Sequence, residues 1–255
     1  MQSLWRALLV LSLLAGSLPA LAQLPQFKVL VFSTPNKYHY EYIPMARESL
    51  EKMSRLHKFE MVWSKDPASF EGDLQQYGAI MMMNSAGDEL NARQREAFER
   101  YMADGGNTMI VHRGLIIPAG EWPWYEKLAG RSFTIHPIMQ TAVIHTLEPG
   151  FPATFSVPPR WIWTDEWYEL SNPHNVTITP VMNVDESTYD PTWIWPGQTI
   201  KGMGKEHPVA WYHQVGKGRV FVTTLGHDPE AYRDELFLAH LLGGLYWTAT
   251  GRGMQ

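Results

Sequence analysis

No cysteine occurs anywhere in the 255 residues. That absence excludes disulfide frameworks, zinc ribbons and every thiol nucleophile. Positive charge is also scarce, with 21 Lys and Arg against 26 Asp and Glu and a formal net charge of -5. A nucleic-acid or other polyanionic partner is therefore not expected. Beyond the first residues, no apolar run is long enough for a membrane helix. Four sequence signatures are missing as well: a Gly-x-Ser-x-Gly elbow, a phosphate-binding P-loop, Gly-x-Gly-x-x-Gly after the first strand, and His-Glu-x-x-His on a helix. Their absence weighs against serine hydrolases, nucleotide-dependent enzymes and zincins. There are no internal repeats and no low-complexity segments.

What is present begins with a leader. Arg6 precedes the apolar stretch Ala7–Ala15, and Pro19-Ala20-Leu21-Ala22 follows as a small-x-small site. This order is that of a secretory signal, and its apolar part falls short of the about 20 residues needed to span a bilayer. The expectation is a signal peptide over residues 1–22 and a mature chain over residues 23–255, exported to the periplasm or secreted. No membrane association is expected after cleavage.

The mature chain, 45% hydrophobic over the full sequence, is read as one α/β domain. Phe27–Ser33 is a short apolar run ended by the turn residues Thr34-Pro35-Asn36, the pattern of a strand buried on both faces. Ile43, Ala46, Leu50 and Met53 then recur at helical spacing, and Phe59–Trp63 returns to strand chemistry. Ala79–Met83 and Thr108–Val111 are two further strands. Between them lies a helix with the capping pair Asn91 and Gln94 and the stop Gly105-Gly106. This alternation predicts a doubly wound, mostly parallel sheet with right-handed crossovers. After Gly114 the chain becomes rich in Trp and Pro, read as an aromatic-rich elaboration folded over the sheet. Val209–Tyr212 and Arg219–Thr223 flank Gly216-Lys217-Gly218 as a hairpin, and a closing helix is expected to start at Asp228-Pro229.

In open α/β sheets the ligand crevice lies beyond the carboxyl ends of the strands. Three histidines fall in that position on different strands: His39 after the first, His112 after the fourth, and His227 after the last long one. Asn84 and Arg113 occupy the same topological level. Asp165 and Glu166 sit among Trp161, Trp163, Trp167 and Tyr168, where partial desolvation would raise a carboxylate pKa and suit it to proton transfer. His136-Pro137 and His207-Pro208 carry a weaker signal, since His-Pro also serves simple turns. The candidate catalytic residues are His112, Asp165, Glu166 and His227. The candidate substrate-binding residues are His39, Asn84, Arg113, His136, Trp167 and Tyr168.

The ordered set of residues resembles the ThuA-like (trehalose-utilisation) family over nearly the whole mature chain. It comprises the strand leading to His39; Tyr77-Gly78-Ala79-Ile80 leading to Asn84; and Tyr101-Met102-Ala103-Asp104-Gly105-Gly106 before Ile110-Val111-His112. It continues through Asp165-Glu166 with Tyr168, and from Pro208-Val209-Ala210-Trp211 to Leu225-Gly226-His227. That family is similar in fold to class I glutamine amidotransferases, a flavodoxin-like arrangement with a cysteine at an elbow after a central strand. Here Val111-His112-Arg113 occupies the elbow, and the late segment reads His227-Asp228-Pro229-Glu230. One departure is Gly150-Phe151-Pro152-Ala153-Thr154, where relatives tend to carry a His-Pro.

The resemblance implies a role in sugar catabolism, on 3-keto sugars made from disaccharides. A ketone at C3 acidifies the C2 proton, which Glu166 or His227 could remove while His112 and His39 hold the developing oxyanion. Three readings stand: a keto-glycoside-cleaving or isomerising enzyme, a non-catalytic sugar-binding protein, and a metal-dependent hydrolase built on His39, His112, His227 and a carboxylate. A divalent metal is the one candidate cofactor, and a small carbohydrate the expected partner. The oligomeric state is left open.

Overall fold

The computed structural model of the protein describes residues 24–253. The expected leader, residues 1–22, lies outside them. Among the described residues no helix is long and apolar enough to cross a membrane.

The apolar strand runs pair as their burial requires. Strand β1 (Lys28–Phe32) lies between β2 (Glu60–Ser64) and β3 (Ala79–Met83), and β4 (Thr108–Val111) follows β3, every pairing parallel. Helix α1 (Ile43–Leu56) connects β1 to β2, and α2 (Ala92–Ala103) connects β3 to β4. The Asn91–Gln94 capping box forms as expected: the Asn91 side chain accepts from Gln94 N and the Gln94 side chain from Asn91 N. Alternate strand residues enter opposite layers. Val29, Val31, Met81, Met109 and Val111 pack with residues of α1, while Leu30, Phe32, Ile80, Met82 and Ile110 pack with residues of α2 and α3 (Pro123–Ala129). Helices on both faces make the sheet doubly wound, with the 2-1-3-4 order of flavodoxin-like folds.

The tryptophan-rich half extends this sheet, which corrects the expectation that it folds over it. A short ribbon pairs β5 (Phe133–Ile135) with β8 (Glu169–Leu170). The remaining strands are β6 (Gln140–Thr146), β7 (Arg160–Asp165), β9 (Thr179–Asp185), β10 (Pro208–Val215) and β11 (Gly218–Thr223). They complete one nine-stranded sheet of order β2-β1-β3-β4-β11-β10-β9-β6-β7. β11 pairs parallel to β4, and the other four pairings are antiparallel. Only β6 and β10 therefore run against the rest, so the sheet is mostly parallel. The carboxyl ends of β1, β3, β4, β11 and β7 share one edge.

The closing helix also starts later than expected. Asp228 caps a 3-10 turn, Pro229–Arg233, and α4 (Glu235–Thr250) begins one turn on, with Asp234 accepting from Phe237 N at 2.8 Å. The Asp-Pro signal is real, but the turn it starts ends before the helix. Helix α4 lies unusually close to the chain: a Cβ at Gly243 would fall 2.0 Å from the Pro152 carbonyl oxygen. The segment departing from the family pattern, Gly150–Thr154, is thus a packing surface for α4, and the Ala153 carbonyl pairs with buried His240 at 2.9 Å.

Candidate metal centre

Four histidines surround the carboxylate of Glu166, which immediately follows β7. His227 Nδ1 stands 3.2 Å from Oε1, His112 Nε2 3.5 Å from Oε2, His136 Nε2 3.5 Å from Oε1 and His39 Nε2 3.9 Å from Oε2. The three histidines placed by sequence at strand ends thus converge, their rings packed with centroids 5.2–5.3 Å apart. His136 joins them from the end of β5, carried by the β5–β8 ribbon, which also presents Tyr168.

Hydrogen bonds fix which nitrogens face inward. The His112 Nδ1–H donates to the Thr224 carbonyl at 2.7 Å, so Nε2 is the acceptor nitrogen, turned toward Glu166 and the Tyr168 hydroxyl. The Oδ1 of Asn36 accepts the backbone N–H of Tyr38 and of His39, so it is an oxygen, and the His39 Nδ1–H donates to it at 3.2 Å. The His39 Nε2 is therefore a lone pair too. Both His39 Nε2 and Glu166 Oε2 are buried without a hydrogen-bond partner. His112 sits at the elbow in a left-handed backbone conformation, φ 49°, which side chains other than Gly, Asn and Asp adopt rarely.

Burial, with a smaller contribution from the neighbouring rings, pushes the His112 ring down to about 3 and lowers His39. Burial would also raise Glu166, but the surrounding histidines, His227 at 3.2 Å foremost, hold it well below the usual carboxylate range. His227 is raised: burial opposes its charge, and the contact with Glu166 outweighs burial. The cluster is thus an anionic carboxylate beside the neutral rings of His39 and His112 and a His227 ring biased toward its charged form.

One donor atom from each of His39, His112, Glu166 and His227 lies within 4.8 Å of the others. Around a first-row divalent ion with bonds near 2.1 Å, tetrahedral ligands stand about 3.4 Å apart. His227 Nδ1 at 3.2 Å from Glu166 Oε1 and 3.3 Å from His112 Nε2, and Glu166 Oε2 at 3.5 and 3.9 Å from His112 and His39, lie around that distance. Three imidazoles and a carboxylate suit zinc and its neighbours. The carbonyl on His112 Nδ1 and the amide oxygen on His39 Nδ1 are the outer partners that metal-bound histidines ordinarily have.

The remaining sequence candidates take supporting places. Asp165, wholly buried, accepts from Gly226 N at 2.8 Å, His227 N at 3.2 Å, Glu166 N at 2.9 Å and Trp163 Nε1 at 2.9 Å. Its carboxylate is engaged in holding the backbone on both sides of the site, so proton carriage is not its place. Gly226 is a glycine because φ is 113°, and a Cβ there would also meet the Tyr232 hydroxyl. Asn84, buried at φ 65°, donates to the Thr34 carbonyl and accepts from Asn36 Nδ2, which anchors the His39 loop. Arg113 forms a two-pronged pair with Asp88, both contacts 2.8 Å, and is not one of the donor set. Trp167 is fully buried, its Nε1–H donating to the Gln140 carbonyl, so it offers no sugar platform. The Tyr168 hydroxyl does reach the centre, 3.0 Å from His112 Nε2. His207 stays structural, bridging the Glu186 carboxylate and the Tyr168 carbonyl.

Sequence reasoning passed over Tyr42 and Trp195. Tyr42 is buried edge-on to His112 with its hydroxyl unpartnered, and Trp195 stands edge-on to His136. Tyr42 had no signal beyond its place just before α1, and Trp195 was one of many tryptophans.

Comparison with known proteins gives the same fold. A ThuA-like protein from Bacteroides uniformis superimposes with TM-score 0.76 at 22% identity, covering 91% of this chain and 95% of that one. A second ThuA-like protein, from Parabacteroides merdae, gives TM-score 0.72 at 20% identity, covering 91% and 92%. The β-galactosidase from Bacillus circulans sp. alkalophilus gives 0.51 at 13% identity over 88% of this chain and 30% of the enzyme. At these identities the likenesses establish the fold alone. No curated protein matches the chain. The model of the ThuA family, described as trehalose utilisation, matches residues 28–248, from the first strand into the last helix, and the chain belongs to that family.

Proposed function

We propose that the protein is a metal-dependent enzyme that cleaves or isomerises keto-glycosides, with the ion held by His39, His112, Glu166 and His227. The observation that carries this reading is the pair of buried acceptors His39 Nε2 and Glu166 Oε2, without a hydrogen-bond partner among the described residues, which face each other at 3.9 Å beside the inward-facing Nε2 of His112. Lone pairs converging in a buried space need a cation between them. When bound, such an ion supplies Lewis acidity to a carbonyl or hydroxyl oxygen of a sugar.

The chain's own residues supply the rest. Glu166 and His227, first considered as bases, are taken up as ligands, which moves the proton chemistry to His136. Its ring is half-buried outside the donor set, Nδ1 paired to the Pro137 carbonyl at 2.8 Å and Nε2 turned to the centre. With a ketone at C3, His136 takes the C2 proton, and the electron pair left at C2 expels the oxygen at C1. The imidazolium so formed, or the Tyr168 hydroxyl, returns a proton to the departing oxygen. Burial keeps the Tyr168 hydroxyl protonated, so it is a donor.

The test is turnover of 3-keto-disaccharides and their unoxidised parents before and after chelation. Loss of keto-sugar turnover on chelation, with recovery on adding zinc, manganese or cobalt, is the expected result. Undiminished turnover by protein freed of metal would overturn the proposal. Sugar binding without turnover would favour the non-catalytic reading.

A further inference from the structure

His136 connects the centre to the surface. One end of the ring faces Glu166 Oε1 at 3.5 Å, and the ring meets Trp195 with centroids 5.2 Å apart at 87°. Trp195 is 42% exposed and Trp193, two residues earlier, 56%. Both belong to the long connection between β9 and β10, and that connection is firmly tied. The Trp193 carbonyl accepts from Ile138 N at 2.8 Å, and the Trp195 carbonyl from Gln198 N at 3.2 Å. Asp190 and Gln140 exchange two hydrogen bonds, at 2.8 and 3.0 Å. Further along, Glu169 accepts from Lys201 N and Gly202 N, and Glu186 from Met203 N and Gly204 N.

A fixed loop that holds two indole rings in water gives up the stability their burial would contribute. An apolar face with an N–H tip is what a pyranose ring stacks against. The spacing matters as much as the chemistry. The His136 imidazole, comparable in width to a single sugar ring, touches both the Glu166 carboxylate and Trp195. A ring reacting at the centre would therefore place its glycosidic neighbour over Trp195. Tyr38 and Tyr40, exposed on either side of buried His39 in the chain, add two more rings on the β1–α1 loop.

We infer that Trp195 is the floor of a second-ring subsite and that the site takes two-ring glycosides, the reacting ring at the metal centre and the leaving ring on Trp195. This rests on the sugar chemistry proposed above and gives the leaving ring its seat.

The experiment is calorimetric titration of the metal-loaded protein with glucose, trehalose and cellobiose as non-reacting probes, with metal content measured on the same samples. At least one disaccharide is expected to bind roughly five- to tenfold more tightly than glucose, the increment of one aromatic contact. Trp195→Ala should erase that increment while leaving glucose affinity and metal content unchanged, and Trp195→Phe should restore most of it. Equal binding of glucose and both disaccharides, or a Trp195→Ala loss shared equally by all three, overturns the subsite. Discrimination by a protein that takes up no metal would leave the subsite standing and count against the metal-dependent reading.

Discussion

The carboxylate of Asp165 accepts the backbone N–H of Gly226 at 2.8 Å, joining the end of the edge strand β7 to the loop after β11 across 61 residues of sequence. Three strands separate β7 from β11 in the sheet, so this bond brings Glu166 from the far edge to the histidines of the parallel half.

Replacing Asp165 by Asn should loosen both sides of that joint, because an amide nitrogen cannot accept the N–H groups one carboxylate oxygen now receives. A stability loss of about 1–3 kcal/mol is expected, with metal affinity reduced roughly 10- to 100-fold. Thermal melts of the metal-free variant and metal titration check the two effects. Parental metal affinity in the variant would show that Asp165 does not position the centre.

His227→Asn should lower turnover by about two orders of magnitude or more with little loss of stability, since the ring is partly exposed and its backbone is held through Asp165. The decisive comparison is kcat/KM against the melting temperature. Near-parental turnover in a normally melting variant would make His227 a structural residue.

His136→Gln separates ligand from base. About one equivalent of metal should remain bound while kcat falls by roughly 10²–10⁴, whereas Glu166→Gln should lose the metal itself. Elemental analysis beside steady-state kinetics distinguishes them. Loss of metal from the His136 variant would move that residue into the ligand set.

Stability of the metal-free protein should fall as the medium is acidified from pH 7. Burial pushes His213 and His240 down to about 4, and His112 to about 3. In the unfolded chain these rings titrate near about 6.5, so below that pH the unfolded state holds protons the native state refuses. Their contribution is intact above about 6.5 and is lost down to their folded values. Asp165 works the other way: burial raises it to about 6, so the native state gains a proton that the unfolded carboxyl, at about 3.9, does not hold. Three rings outweigh one carboxyl, so the balance of these groups is a loss of stability on acidification from pH 7 to 4. Denaturant midpoints at pH 7 and 5 should converge in His240→Gln relative to the parent. An equal drop in both would remove His240 from the effect.

Much of this architecture can be read from the residues in order. The runs Ala79–Met83 and Thr108–Val111 are buried on both faces, as strands of a parallel sheet flanked by helices are. Once the strands run parallel, His39, His112 and His227 must share an edge, and they do. What sequence cannot supply is the sheet's order beyond β11. Alternation within Arg160–Asp165 marks a strand but does not say which neighbour it pairs with, so the tryptophan-rich half was expected above the sheet and lies within it. For the same reason Asp165 reads as a catalytic acid: its four N–H partners come from both sides of a joint that exists only in three dimensions. Trp167 and Trp195 are the same residue type in the same kind of segment. Only packing separates the buried one from the one at the mouth.

The central claim is that the four donor atoms hold one ion, and anomalous diffraction from crystals grown with zinc tests it most directly. A single anomalous peak within about 2.0–2.3 Å of His39 Nε2, His112 Nε2, His227 Nδ1 and a Glu166 oxygen is the expected result, absent in Glu166→Gln crystals grown the same way. A zinc-saturated crystal with no peak among these four atoms would contradict the claim.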